Sequence, residues 1–140
     1  MTDTATVHEI TIRRVFDAPR ALVWKAWTEP ERLATWWGKR GWSTPLESIT
    51  MEVRPGGTFR LTSVNDADGR EMPFEAVYRE VLAPERLAFG EATVTLTELA
   101  DGRTEMVFHT TLEAPDDVRA VAEGGLASAF DRLAEEVEAR

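Results

Sequence analysis

Few side chains in this 140-residue chain are equipped for chemistry. Cysteine is absent, which excludes thiolate nucleophiles, thiolate metal sites and disulfides. The two histidines, His8 and His109, belong to different expected strands and have no spaced carboxylate partners. If those strands pair the imidazoles could meet, but no metal-ligand set assembles around them. Ser43, Ser48, Ser63 and Ser128 lack the Gly-x-Ser-x-Gly context that exposes a nucleophile. No glycine-rich loop follows a strand and opens a helix, so a phosphate cradle is absent. Asp66-Ala67-Asp68-Gly69 with Glu75 imitates a calcium loop, but its first ligand position falls on Val64, and the stretch reads as a turn. Neither a metal nor a cofactor is expected.

What remains is one carboxylate and a set of rings. Glu80 ends the run Phe74-x-Ala76-x-Tyr78-x-Glu80. Strand alternation puts those four on one face, with Glu75, Val77, Arg79 and Val81 on the other. If the first face is concave, the carboxylate enters apolar space, where desolvation raises its pKa and suits acid–base work. The alternative is an ion pair with Arg60 or Arg79, or plain solvation. All five tryptophans lie between Pro19 and Pro45. Trp24 and Trp27 share a helix face. Trp36 and Trp37 are adjacent, so one is expected to line the interior while the other reaches a loop or partner. Trp42 falls in a loop, where it could gate a mouth. The rings make either a ligand wall or ordinary core, since aromatics dominate cores. Gly124-Gly125 interrupts a helical stretch at about 1 kcal/mol per glycine. A ligand passing the bare backbone, close packing on a sheet, or a kink would each offset that.

These groups need elements to hold them. Met1–Thr6 is expected to be a flexible tail, followed by a strand over Val7–Phe16. Pro19 opens a helix carrying Leu22, Val23, Ala26 and Trp27. Thr28-Glu29-Pro30-Glu31 reads as a capping box starting a second short helix that runs through Leu33 to Trp37. Strands are expected over Glu47–Val53, Thr58–Val64, Met72–Leu82, Arg86–Phe89, Ala92–Leu99 and Thr104–Leu112. Pro55-Gly56-Gly57 and Asp101-Gly102 mark tight turns. Pro115-Asp116-Asp117 starts a final helix whose stripe is Val118, Ala122, Leu126, Ala129, Leu133 and Val137. The order predicts one α+β domain over 1–140 with an antiparallel meander.

Bulk properties narrow the partners. Apolar residues make up 43% and charged residues 29%, as in globular chains. A net charge of −9 repels phosphate backbones and anionic lipid, so neither nucleic acid nor a membrane is expected as partner. No signal peptide or membrane span is legible, and a cytoplasmic protein is expected.

Ala18-Pro19, Leu22-Val23-Trp24, Ala26-Trp27-Thr28, Pro30-Glu31 and Trp36-Trp37-Gly38 resemble the opening signature of a known family. Its members resemble the C-terminal domain of the activator of the heat-shock-protein-ninety ATPase, within the START-like, birch-allergen-like (SRPBCC) superfamily. Pro55-Gly56-Gly57, Pro84-Glu85-Arg86-Leu87 and the helix segment from Gly125 through Ser128 to Leu133 agree with it. The resemblance implies a helix-grip fold: a curved antiparallel sheet of about six to seven strands wrapped round the long C-terminal helix. Two short helices after the first strand would close one end, and a cavity would lie between helix and sheet. Gly125-Leu126 replaces the family's usual Gly-Trp, which removes a ring from the pocket. The strand pair over Arg86–Leu99 is short, which would leave one edge of the cavity either shallower or more open than is usual. The extra N-terminal domain of the chaperone activator is not expected.

Three readings follow. The leading one is binding of an apolar or aromatic small molecule, lipid- or polyketide-like. Its pocket would be lined by Trp37, Phe59, Leu61, Phe74, Tyr78, Phe108, Leu126, Ala129 and Phe130, with Tyr78 or Glu80 orienting the ligand. The second is an enzyme of cyclase, dehydratase or hydrolase type in the same cavity, with Glu80 or His109 titrating near neutrality. The third is an interaction module, either a homodimer through a sheet face or a chaperone partner.

Overall fold

Alternation of apolar and polar residues turns most of the chain into antiparallel strands, and two long ones far apart in sequence pair with each other. The structure, a computed structural model, describes residues 6–138. Strand β1 (Thr6–Phe16) pairs with β8 (Thr104–Ala114) along its whole length, from Thr6 opposite Ala114 to Phe16 opposite Thr104. Thr6 is thus a strand residue; the rest of the expected tail lies outside the described residues. Between them run β4 (Thr58–Asn65), β5 (Glu71–Leu82), β6 (Arg86–Phe89) and β7 (Ala92–Glu98). Two-residue strands β2 (Trp42–Ser43) and β3 (Thr50–Met51) both pair with β4. The sheet has eight strands in the order β1-β8-β7-β6-β5-β4-β2, with β3 off that path. The expected strand over Glu47–Val53 shrinks to β3 because a 3-10 turn over Leu46–Ser48 takes its beginning.

Helix α1 (Arg20–Thr28) follows Pro19 and buries Val23, Ala26 and Trp27. The capping box expected at Thr28 does not form. Thr28 Oγ1 donates back to the Trp24 carbonyl at 2.8 Å, and Glu29 takes the cap position of α2 (Pro30–Leu33) without a side-chain cap bond. Proline in the first turn starts that helix without needing an N–H partner. Helix α2 ends at Leu33, earlier than expected, and Trp36 and Trp37 follow in turns.

Helix α3 (Asp116–Glu138) packs on the concave side of the sheet through its later half, where Ala129, Phe130, Leu133 and Val137 are buried. The expected stripe does not bury from its start: Val118 is 39% and Val121 is 67% exposed. The apolar face of this first half looks onto a cavity and its mouth instead of the sheet.

The turn Pro55-Gly56-Gly57 fastens the far end of the sheet to β5. Gly56 N–H donates to the Tyr78 carbonyl at 2.8 Å, and Tyr78 N–H donates to the Gly57 carbonyl at 3.0 Å. A Cβ on Gly57 would stand 2.0 Å from the Glu52 carbonyl oxygen, a backbone atom that cannot swing aside. Gly57→Ala is expected to cost at least about 2 kcal/mol in urea unfolding. By contrast, a Cβ on helical Gly124 meets nothing within 4 Å. Gly124→Ala is expected to stabilise by about 0.5–1 kcal/mol in the same assay.

Candidate functional site

The first half of α3 and the concave sheet face enclose a cavity of about 700 Å³. Eight aromatic residues line it: Trp27, Trp36, Trp37, Trp42, Phe74, Phe89, Phe108 and Phe130. Trp27 is buried among them. Its ring meets Trp36 edge-on at 4.7 Å and stacks on Phe108 at 6.3 Å, with Phe89 and Phe130 each at 6.1 Å. Trp36 donates its indole N–H to the Ala26 carbonyl at 2.9 Å, whereas buried Trp27 Nε1 has no partner. Trp36 and Trp37 both line the cavity, although only one was expected to face inward. The early end of α2 explains this: in the turn that follows, the adjacent rings sit 5.7 Å apart at 50°. Trp42 is buried rather than a loop residue, paired through β2 and covered by the Arg70 guanidinium 5.6 Å from its ring.

Of the residues expected at the site, Trp37, Phe74, Phe108, Leu126, Ala129 and Phe130 line the cavity. Phe59, Leu61 and Tyr78 do not; they form a fully buried layer among the core side chains. Phe59 stacks on Tyr78 at 5.4 Å and 5°, and meets Trp37 and Phe74 at 5.3 and 5.2 Å. Glu80 is not on the cavity side at all. The β5–β6 register shifts between Tyr78 and Glu80. An extra residue in one strand reverses the alternation beyond it. Val81 therefore packs against the core, and the Glu80 carboxylate accepts from Arg86 Nε on the other face.

The two histidines do not meet although their strands pair. His109 stands opposite Thr11 and its Nε2 lies 3.1 Å from Glu9. His8 stands opposite Leu112, on the alternate face, with Nε2 3.3 Å from Asp116 at the start of α3. Among the described residues no group of three or more His, Asp or Glu side chains is placed to hold a metal ion.

The mouth lies where the sheet is incomplete. Strand β6 pairs with β5 only over Tyr78–Leu82, so Glu71–Val77 keeps a neighbour on one side alone. Met72, Pro73, Phe74, Glu75 and Ala76 all line the cavity. Consecutive residues point to opposite faces, so five in a row mean that the strand's edge borders the opening. Gly90 and Glu91, in the β6–β7 turn, face it. Arg79, the residue at the bulge, braces that turn by donating to the Gly90 and Ala92 carbonyls. The short pair over Arg86–Leu99 signals an altered edge; that residues 72–76 of β5 border the opening was not expected from the sequence.

Across the mouth, α3 is tied to the stretch after α2. Arg132 donates to the carbonyls of Gly38 at 2.8 Å, Trp42 at 3.0 Å, Thr35 at 3.2 Å and Lys39 at 3.4 Å. Arg40 adds its backbone N–H to Ser128 Oγ at 3.0 Å and pairs with Glu135. Gly125 lines the cavity, and a Cβ there would meet only Lys39 Cδ at 3.9 Å. The glycine pair thus makes no close approach to the sheet.

With fold and cavity described, the chain can be compared with known proteins. Residues 17–138 match the family described as Activator of Hsp90 ATPase homolog 1-like protein. The chain belongs to that family. Solved structures similar to this Activator of Hsp90 ATPase homolog 1-like chain share its fold. One from Rhodobacter sphaeroides has 23% identity and a TM-score of 0.80, covering 96% of this chain and 98% of its own. One from Nitrosomonas europaea has 23% identity and a TM-score of 0.79, covering 91% and 92%. An AHSA1 protein from Silicibacter pomeroyi has 18% identity and a TM-score of 0.77, covering 92% and 96%. No curated protein matches the chain. Among the described residues no helix is long and apolar enough to cross a membrane.

Two measurements follow from this geometry. Tyr78, the chain's one tyrosine, is buried with its hydroxyl unpartnered, and burial raises its pKa above the ordinary 10.0. Above that value the unfolded chain releases the phenolic proton while the folded one keeps it, so stability falls as pH rises. In an alkaline titration, phenolate absorbance is expected to appear only together with loss of the folded circular dichroism signal; Tyr78→Phe is expected to flatten the alkaline decline. Arg132→Met is expected to lose about 2 kcal/mol in urea unfolding, since bonds from a charged donor are worth about 1.5–3 kcal/mol each and some exposure discounts them. Hydrogen exchange at residues 35–42 should accelerate in that variant more than elsewhere.

Proposed function

We propose that the protein binds an apolar or aromatic small molecule, lipid- or polyketide-like, in the cavity between the sheet and α3. One observation carries this reading: eight aromatic side chains converge on a space of about 700 Å³ that a short β6 leaves open at one edge. That volume lies in the range of drug-sized ligand sites, which combine an apolar lining with a few polar groups. Each apolar Å² removed from water contributes about 25 cal/mol, and ring-on-ring contacts add about 0.5–1.5 kcal/mol per pair.

Binding is favoured over turnover because neither acid–base candidate reaches the cavity. Glu80 pairs with Arg86 and His109 stands beside Glu9, both on the outer face. The carboxylates that do border the space, Glu75 and Glu91, sit at its mouth, and Glu75 lies 4.0 Å from Arg60. A cysteine-free chain that needs no disulfide suits a cytoplasmic location.

Native mass spectrometry of the purified protein tests the reading. The expected result is a small-molecule adduct that leaves on denaturation, with the same spectrum giving monomer or dimer. Gly125→Phe fills the cavity from a helix position and is expected to remove the adduct while the circular dichroism spectrum stays folded. A wild-type protein without adduct, whose tryptophan emission also ignores polycyclic aromatic probes, overturns it.

A further inference from the structure

We infer that the cavity takes an amphipathic monocarboxylate, its apolar body among the rings and its carboxylate last, against the Lys39 ammonium at the mouth. The inference rests on the binding reading above and specifies the ligand's head group. Three charged residues border the cavity: Lys39, Glu75 and Glu91. Both carboxylates are turned to the outer face of the sheet. Glu75 stands opposite Arg60 in the β4–β5 register, with its carboxylate 4.0 Å from that guanidinium. Arg60 alternates with the buried Phe59 and Leu61, so the pair lies on the side away from the core. Glu91 accepts from Thr111 Oγ1 at 3.4 Å, and Thr111 alternates with Thr110, which lines the cavity. Lys39 runs the other way. Its Cδ lies 3.9 Å from where a Cβ on Gly125 would stand, and Gly125 lines the cavity. The stem thus lies against bare backbone of α3, and the ammonium is one methylene further on.

That ammonium has no hydrogen bond or ion pair among the described residues. The arginines near it are all engaged: Arg40 with Glu135, Arg70 with Asp68, and Arg132 with carbonyls of the 35–42 stretch. A lysine carries a point charge on a flexible stem and can follow a ligand's head group. The interior decides the rest of the ligand. Its hydroxyls are taken: Ser63 Oγ lies 2.9 Å from Thr44 Oγ1, and Thr110 donates to the Thr111 carbonyl at 3.4 Å. A carboxylate deep among the rings would lose its water with no cation beside it, so the charge stays at the mouth. One cation matches one negative charge; a dianion would meet it against a chain of net charge −9. A lipophilic ammonium would find ring faces inside, but its head would meet Lys39 while both glutamates are turned away.

Pyrenebutyrate, pyrenebutanamide and pyrenebutylammonium test this, because they share a flat ring body and a tether and differ in head charge. Each is titrated into the wild-type protein and followed by energy transfer from tryptophan to pyrene. At low salt the carboxylate is expected to bind about threefold more tightly than the amide, the return of one exposed ion pair, and the ammonium more weakly than either. Raising the salt is expected to narrow the gap. Lys39 is exposed, so its variants are expected to fold. Lys39→Met keeps an apolar stem and is expected to erase the preference with amide affinity unchanged, whereas Lys39→Arg is expected to retain it. Equal affinities for carboxylate and amide, a preference that Lys39→Met leaves intact, or tightest binding by the ammonium overturns the inference and leaves the binding reading standing. If none of the three binds, both fall.

Discussion

Phe130, Leu133 and Val137 press the later half of α3 into the sheet, while Arg132 and Arg40 tie that half to the stretch following α2. Arg14 adds a third tie from β1, donating to Asp131 at 2.7 Å and to the Ala127 carbonyl at 3.1 Å. The helix is therefore held most closely through its later half, while its start touches β1 through Arg119, 3.4 Å from the Glu9 carbonyl, and Asp116, 3.3 Å from His8; the space under the first half follows from that. Had Val118 and Val121 been packed like Leu133, the rings beneath them would have been covered and no cavity would exist. Burial at one end and polar ties at the same end act together, because hydrogen bonds from a charged donor hold direction where apolar contact does not.

Much of the architecture was legible because it rests on period. Alternation along β1, β4, β5 and β8 and turns at Gly56-Gly57 and Asp101-Gly102 are local signals. They suffice for an antiparallel sheet with a late helix, and the signature around Trp24, Trp27 and Trp36-Trp37 pointed to the family. The misplaced residues are those whose setting depends on a partner strand. Glu80 lies beyond a bulge, and a bulge leaves no mark in the alternation of a single strand. Phe59 and Tyr78 follow the concave face as expected but sit one layer too deep, a distinction of depth that period does not carry. Met72, Pro73 and Glu75 border the cavity through a strand edge, which exists only because β6 stops short.

The aromatic residues divide into two layers with different roles. Phe59 and Tyr78 stack at 5.4 Å in the sheet's interior, and Phe59 backs the cavity-lining Phe89 at 5.1 Å. Trp37 lines the cavity with Phe59 behind it at 5.3 Å, and Trp27 and Phe108 line it stacked on each other. A wall backed this way holds its shape without a ligand, which lowers the ordering cost of binding. Tyr78 accepts an unpartnered hydroxyl as part of the arrangement, while its backbone holds the Gly56-Gly57 turn in place.

The pairing of β1 with β8 has a consequence for how the chain comes into being. Synthesis runs from the N-terminus at about 5–20 residues per second. Strand β1 emerges early, yet its whole register is matched by residues 104–114. Until those appear, its inward side chains and the tryptophan-rich helices behind it have no lid of sheet to lie under. Contacts so distant in sequence are slow to find. For this fold the synthesis of residues 104–114, rather than the folding of any earlier segment, sets when the interior can first exclude water.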